Sequence, residues 1–381
     1  MAITINSTPD AMNAAYSPIN WNVTSNDANI KAIRADVYIN GNYSTTLNAV
    51  QQLGTTDTFD LDIQKIMQSQ LVSELRYNIT SLAITSAIIS ACSVKVRFYE
   101  VVLSGGVYTT TWAEDGAGTG YEESSTYNVT NTAIQENEDL TDYTVSSSSK
   151  KFLTMRTSNC RIPRGVPFQI GFLSAINLSF IIKRLDEDLN VLTSAQSGFN
   201  TATYGKGIIE IPESYFSSAS YSYLDIYLID AGDAIRSETI RYKIEDACML
   251  YPVFIQNHLG DFDHFNFGGH KIKNINTKNQ SIKKPLPAPP FKSYYAGNII
   301  VQSNVNERLK VETESLSAVE LTFLEEFIKN HSVTYYWEAA NTFRRRKISS
   351  HSTKTVDNDS LINTLSLTFE PSNSHKVQKG D

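Results

Sequence analysis

The sequence predicts a mainly β protein: two β-sandwich-like domains plus a C-terminal α+β domain with one capped helix. Three observations carry this expectation. Short runs of β-branched and aromatic residues recur along most of the chain, with turn residues between them at regular spacing. The alternating run Ile33 to Ile39 is followed by Asn40-Gly41, a dipeptide suited to the two positive φ angles of a type I′ hairpin turn. Near the C-terminus, a helix-start signature accompanies an apolar stripe at helical spacing.

In chain order, Leu61, Ile66, Met67 and Leu71 share roughly one face and predict a helix over 61–71. Val94 to Leu103 (VKVRFYEVVL) reads as a strand that Gly105-Gly106 turns back into Val107 to Trp112. From Ala113 to Lys151 the chain is rich in Gly, Ser and Thr, with AGTG at 117–120 and SSSS at 146–149, and reads as a long excursion or an inter-domain loop. These segments make up an N-terminal domain, 1–151. A second domain, 152–247, holds the runs Phe168 to Leu173, Leu178 to Leu185, Gly207 to Ile211, Tyr223 to Ile229 and Glu238 to Ile244, the strands of a sandwich.

The third domain, 248–381, carries a Pro-rich arm at 276–293. There Pro285, Pro287, Pro289 and Pro290 favour an extended polyproline conformation, as a stiff arm laid on a neighbour or as a connector. Ser317 as N-cap and Glu320 at N3 form a capping box, flanked by Leu316 and Leu321 at the staple positions. Val319, Phe323, Leu324, Phe327 and Ile328 form the stripe that should face the core. Val333 to Glu338, Arg344 to Ser352 and Leu361 to Glu370 should be three antiparallel strands packed on that helix.

Composition narrows the function classes. A hydrophobic content of 41% excludes wholesale disorder. The net charge of −7 argues against a protein that coats nucleic acid, which requires a basic face. Cys92, Cys160 and Cys248 are odd in number and far apart, which suits neither a disulfide scaffold nor a Cys-based zinc site. The start MAITINSTPD has no basic n-region or apolar h-region, and Leu82 to Cys92 is too short to span a bilayer. Folding in a cytoplasm, with no membrane partner, is the expectation.

Candidate chemistry is sparse. His258, His264 and His270 recur every six residues with Asp261 and Asp263 between them, a spacing that prepares no metal geometry on a strand or a helix. They read as a polar, aromatic-rich turn. Asp57, Asp60 and Asp62 fall at the expected start of the first helix, where carboxylates suit the dipole. Asp186, Glu187 and Asp188 read as a solvated hairpin turn. Nucleophile elbow, P-loop and dinucleotide fingerprints are absent, so no catalytic residue, metal or cofactor is expected. Arg344, Arg345, Arg346 and Lys347 sit on an expected strand, where alternation sends only half of them to one face. They form a solvated strand, a rim that meets acidic neighbours, or a channel wall facing nucleic acid.

The segment Tyr251 to Phe267, YPVFIQNHLGDFDHFNF, resembles virion proteins of tailed bacteriophages, in particular those of Bacteroidetes-infecting and crAss-like phages. In those proteins a strand leads into a stretch of Asn, Gly and aromatic residues, here Asn257, Gly260, Phe262 and Phe265. The opening, with Tyr16-Ser17-Pro18-Ile19 and an alternating strand, is similar. So is the ending: a helix, the aromatic strand Tyr335-Tyr336-Trp337, a basic strand and LSLTFEP at 365–371. His258 and the Pro-rich arm depart from the pattern. The resemblance implies a structural component of the tail, neck or baseplate, found in the virion. Its copies would close into a hexameric or dodecameric ring and dock other tail or neck proteins, with DNA met only in the ring lumen. Tyr251, Asn257, Gly260, Phe262, Phe265, Pro287, Pro289 and Pro290 are the interface candidates. A ring needs a head-to-tail contact between unlike patches. Interface centres also favour aromatic over charged residues, which suits a chain with 20 Tyr and 17 Phe. The alternative is a carbohydrate- or receptor-binding β-sandwich, with Trp112 and the Tyr221/Tyr223 pair as aromatic platforms.

Overall fold

The computed structural model of the 381-residue chain describes residues 3–26, 30–55, 57–76, 79–87, 89–104, 107–110, 121–135, 138–146, 148–199, 205–247, 249–283, 298–329, 334–339, 342–355, 363–371 and 376–378. It is mainly β, with a small helical part near the C-terminus. Two compact units divide it: one comprises 1–159, 167–244 and 256–263, the other 160–166, 245–255 and 264–381. The segments expected as separate domains at 1–151 and 152–247 therefore share one unit, apart from 160–166 and 245–247.

The first unit contains two pairs of sheets. In the first pair, strands Ile3–Ser7, Asn20–Ser25, Thr58–Asp62 and Val50–Gln51 lie in that order. The other sheet runs Met12–Ala14, Tyr127–Thr130, Ala91–Ser104, Ile30–Ile39, Asn42–Asn48. Period-two alternation sends Trp21, Val23, Phe59 and Leu61 inward from the first sheet, and Ile33, Ala35, Val37, Val94, Val96 and Phe98 inward from the second. Each such large side chain contributes about 1.5–3 kcal/mol through burial. The turn between Ile30–Ile39 and Asn42–Asn48 has φ of 49° at Asn40 and 79° at Gly41, the backbone the Asn-Gly pair predicts. Helix α1, Gln64–Gln70, buries Met67 in the same core. It is shorter than expected: Leu61, Asp60 and Asp62 belong to the preceding strand. Asp62 still serves the helix, its Oδ1 accepting the Gln64 N–H at 2.8 Å.

The second pair joins residues from both sides of the expected 151/152 boundary. Thr144–Val145, Phe168–Ser174, Gly205–Ile211 and Ala83–Ser86 form one sheet, in that order. Ile240–Glu245, Tyr223–Ile229, Leu178–Leu185 and Val191–Phe199 lie in order in the other. The Phe168 ring meets Tyr242 at 5.4 Å and Phe216 at 5.8 Å, both nearly edge to face. Gly207 is required here, because a Cβ would lie 2.3 Å from the Phe172 ring. The acidic turn after Leu185 is an ordinary Asx turn: Asp186 Oδ1 accepts the N–H groups of Asp188 at 3.0 Å and Asn190 at 2.8 Å.

In the second unit, Pro252–Gln256, Thr334–Ala339, Thr342–Thr355, Asn363–Pro371, Asn298–Glu312 and Lys271–Lys283 follow one another across a sheet. Helix α2, Ala318–Lys329, packs on Asn363–Pro371. Its start is the expected capping box: Ser317 N donates to Glu320 Oε2 at 2.9 Å, and Glu320 N donates to Ser317 Oγ at 3.2 Å. Phe323, Leu324 and Ile328 are buried, as are Leu309, Val311, Leu365, Leu367 and Phe369 of the sheet. Val319 is not part of this stripe. It lies 57% exposed, at the second helical position. The Phe327 side chain lies outside the described residues. The proline-rich stretch expected from 276 begins inside a regular ladder, since Lys271–Lys283 pairs antiparallel with Asn298–Glu312. Pro285, Pro287, Pro289 and Pro290 lie outside the described residues, as do Trp112, Cys248 and the AGTG run at 117–120.

Candidate functional site

The Asn257–Asp263 turn is held inside the first unit by buried polar groups. Asn257 N donates to Asp261 O at 2.8 Å, and Gly260 N donates to Asn257 O at 3.2 Å, which closes a tight loop. Gly260 has φ +81°, and a Cβ there would fall 1.5 Å from the Asn131 carbonyl oxygen, so only glycine fits. Asn257 Nδ2 donates to Leu153 O at 3.0 Å and to Asp263 Oδ2 at 2.8 Å, while its Oδ1 accepts Asp261 N–H at 3.0 Å. Asp261 accepts Gln169 Nε2 at 2.6 Å and the Gly171 N–H. Asp263 accepts the Thr154 hydroxyl and, at 3.0 Å, the Met155 N–H.

The Gly260 carbonyl is shared by Lys206 Nζ at 2.7 Å and Ser73 Oγ at 2.8 Å. Asn131 Nδ2 in turn donates to Ser73 Oγ at 2.9 Å. Burial pushes the Lys206 ammonium below its ordinary value, against the opposing pull of Asp261 and Glu74. The same burial pushes Asp261 up, with Lys206 and Gln169 pulling it down. Lys206, Gln169, Ser73 and Asn131 carry no signal as a group in the sequence. Only Lys206, a lone cation between two glycines on a strand, hinted at an inward position.

The expected interface residues of this region are thus engaged within their own chain. Asn257, Gly260, Phe262 and Phe265 are buried, and Phe265 packs edge to face on Phe267 at 5.7 Å. Tyr251 is half-buried beneath Lys271 Nζ, 4.5 Å from the ring centre. The three histidines do not converge. His258 Nε2 lies 3.1 Å from Glu138 Oε2, and the other Glu138 oxygen accepts Tyr143 OH at 2.8 Å. Burial acts to raise the Glu138 carboxyl, but Tyr143, the Gln135 N–H and His258 outweigh it and hold the group low. His264 is buried and stacked on Phe254 at 5.1 Å, and His270 is exposed. Among the described residues no group of three His, Cys, Asp or Glu side chains is placed to hold a metal ion. Nor is any helix of the described residues long and apolar enough to cross a membrane. Tyr221 and Tyr223 are half-buried, with the Arg184 guanidinium 4.7 Å from the Tyr221 ring centre.

The basic strand has a different setting. Arg344, Arg345 and Lys347 are exposed, whereas Arg346 is half-buried with Nη2 3.0 Å from Glu307 Oε1. Glu307 also pairs with Lys273 at 3.2 Å. Register places the rest. Lys347 lies opposite Glu370, Lys310 opposite Thr368 on one side and Ile272 on the other. Arg308 reaches Glu370 at 2.8 Å. Arg345, Lys347, Arg308 and Lys310 therefore share the sheet face opposite Leu309, Val311, Leu367 and Phe369, and all four are exposed. This face is exposed and net basic. Residues 264–381 carry 16 Lys and Arg against 11 Asp and Glu, whereas residues 1–263 carry 17 against 29.

The counterpart lies in the first unit. Strands Ile3–Ser7, Asn20–Ser25, Val50–Gln51 and Thr58–Asp62 contain no Lys or Arg. On their outward side, Asn6 Nδ2 donates to Asn22 Oδ1 at 2.8 Å and Asn22 Nδ2 donates to Asp60 Oδ1 at 2.6 Å. Asp57, Asp60 and Asp62 are all exposed there, beside Val50 at 72% exposure.

Fold and surfaces together define a β-sandwich protein with charge-segregated open sheet faces. No family model matches the chain, and no curated protein matches it. Among solved structures it is similar to the fibronectin(III)-like modules of Clostridium thermocellum CbhA, at 14% identity and a TM-score of 0.17, over 64% of this chain and 94% of that one.

Proposed function

We propose that the chain is a structural component of a tailed-phage virion, a subunit that assembles with copies of itself into a ring in the tail, neck or baseplate. One observation carries the reading: one chain bears both an open basic sheet face and an open acidic one, two unlike patches of the kind a head-to-tail contact requires. The resemblance of the Tyr251 to Phe267 segment and of the two ends supports the phage assignment. The role is mechanical, and the buried polar turn at Asn257–Asp263 supplies rigidity rather than chemistry. Mass photometry of the purified chain, alone and with neighbouring virion proteins, tests it. Closed oligomers of six or twelve copies are expected, and a chain that remains monomeric and joins no assembly refutes the reading.

The alternative, a carbohydrate-binding sandwich, is favoured by the exposed rings of Tyr43, at 58%, and Tyr108, at 68%. Glycan-array binding lost on Tyr108→Ala would establish it in place of the ring.

A further inference from the structure

We infer that the basic sheet face formed by Arg345, Lys347, Arg308 and Lys310 docks on the acidic sheet face around Asp57 and Asp60 of a second copy of this chain. The inference rests on the ring reading and specifies its contact. Charge complementarity selects the occupant. The basic face exposes four cations around Glu370, itself held by Arg308, and the acidic face exposes three carboxylates with no cation on any of its four strands. Each face also offers an exposed aliphatic group, Ile272 at 49% on one and Val50 at 72% on the other, so that contact would bury apolar area along with the charges. Because the two patches differ, one copy's basic face is left free when its acidic face is occupied, so the contact is head-to-tail and passes from copy to copy. Like-charged faces repel, so the same arrangement disfavours face-to-face dimers of identical patches.

Two charge reversals test this together. K310E/K347E makes the basic face acidic, and D57K/D60K makes the acidic face basic. All four residues are exposed, so each variant should melt within a few degrees of the wild type by circular dichroism. Sedimentation velocity should show the wild-type chain associating, about tenfold more weakly in 0.5 M than in 0.05 M salt because exposed charges are screened. Each variant alone should be monomeric. Their equimolar mixture should recover the wild-type assembly, because every interface then again joins a basic face to an acidic one. Assembly of K310E/K347E alone at wild-type strength overturns the inference and leaves the ring reading standing. So does failure of the mixture to associate while both variants are folded. A wild-type chain that stays monomeric at low salt overturns the inference, and the ring reading falls with it only if the chain also joins no assembly with neighbouring virion proteins. If K310E/K347E assembles normally but loses retention of duplex DNA, the face is a polyanion site and the inference is likewise overturned.

Discussion

Lys206 Nζ donates to the carbonyl oxygen of Gly260 at 2.7 Å, so the one lysine at the heart of the first unit is satisfied by backbone. Asp261, the next residue, takes its hydrogen bonds from Gln169 and the Gly171 N–H. Two ionisable groups are thus buried near each other, each hydrogen-bonded to neutral partners and each favoured in its charged form by the other. Such an arrangement is expensive to break on one side, because the remaining group is left buried without its counter-charge.

Lys206→Met should therefore lower the stability of the first unit by about 3 kcal/mol, and Asp261→Asn by a similar amount. The double variant should lose clearly less than the two single losses combined, because it leaves no orphaned charge. Urea denaturation of the four proteins closes this cycle. Additive losses would mean that the two groups do not sense each other.

Two glycines with nearly the same φ separate backbone strain from collision. A Cβ at Gly41, where φ is +79°, would meet nothing within 4 Å, whereas one at Gly260, where φ is +81°, would meet the Asn131 carbonyl oxygen at 1.5 Å. Gly41→Ala should cost about 1–2 kcal/mol, the left-handed penalty alone. Gly260→Ala should cost more than about 4 kcal/mol or abolish folding. Denaturation midpoints and soluble yield read the difference, and equal losses would refute the geometry of the turn.

Local rules account for the parts of the fold that the sequence made legible. Asn40-Gly41 needs only its own φ angles, and Ser317 with Glu320 needs only one helical turn, so both were readable from four residues or fewer. Leu178 to Leu185 and Tyr223 to Ile229 announce themselves by apolar content. The pairing of Ala83–Ser86 with Gly205–Ile211 did not, because register between strands over a hundred residues apart leaves no local trace. The hairpin strand Lys271–Lys283 was hidden for another reason: its residues 271–281 are all exposed, so no face imposes alternation. Val319 matched the helical stripe by spacing, yet it lies exposed on the first turn of α2, where spacing alone does not say which side is covered. The buried knot around Asp261 depends on Ser73, Asn131, Gln169 and Lys206, which only the tertiary fold brings together.

The cap of α2 can be weighed directly. Ser317→Ala removes the hydroxyl that accepts Glu320 N–H and should cost the second unit about 1 kcal/mol. Ser317→Gly should cost only a few tenths, since glycine tolerates the cap backbone. Thermal melts monitored by helix ellipticity would show the order wild type, Gly, Ala. An Ala variant as stable as wild type would mean that the hydroxyl contributes nothing.

The same cap makes the second unit sensitive to acid. Burial acts to raise the Glu320 carboxyl, but the Arg161 guanidinium and the Ser317 N–H and hydroxyl outweigh it and hold the group below its ordinary value of 4.5. Arg161 donates from Nη2 to Glu320 Oε2 at 2.9 Å and to the Ser315 carbonyl at 3.0 Å, so the ion pair ties the helix start to Cys160–Pro163. A carboxyl with a depressed value in the folded state binds fewer protons than in the unfolded chain. Its stabilisation is therefore complete above about pH 4.5 and is lost as pH falls through the folded value. Glu320→Gln should remove this contribution: the variant should be less stable than wild type at pH 7, and the gap should narrow steadily below pH 4.5. Melting of both proteins between pH 7 and pH 3 decides it. A gap that stays constant with pH would show that the Glu320 side chain acts through its shape and hydrogen bonds alone, with its charge contributing nothing.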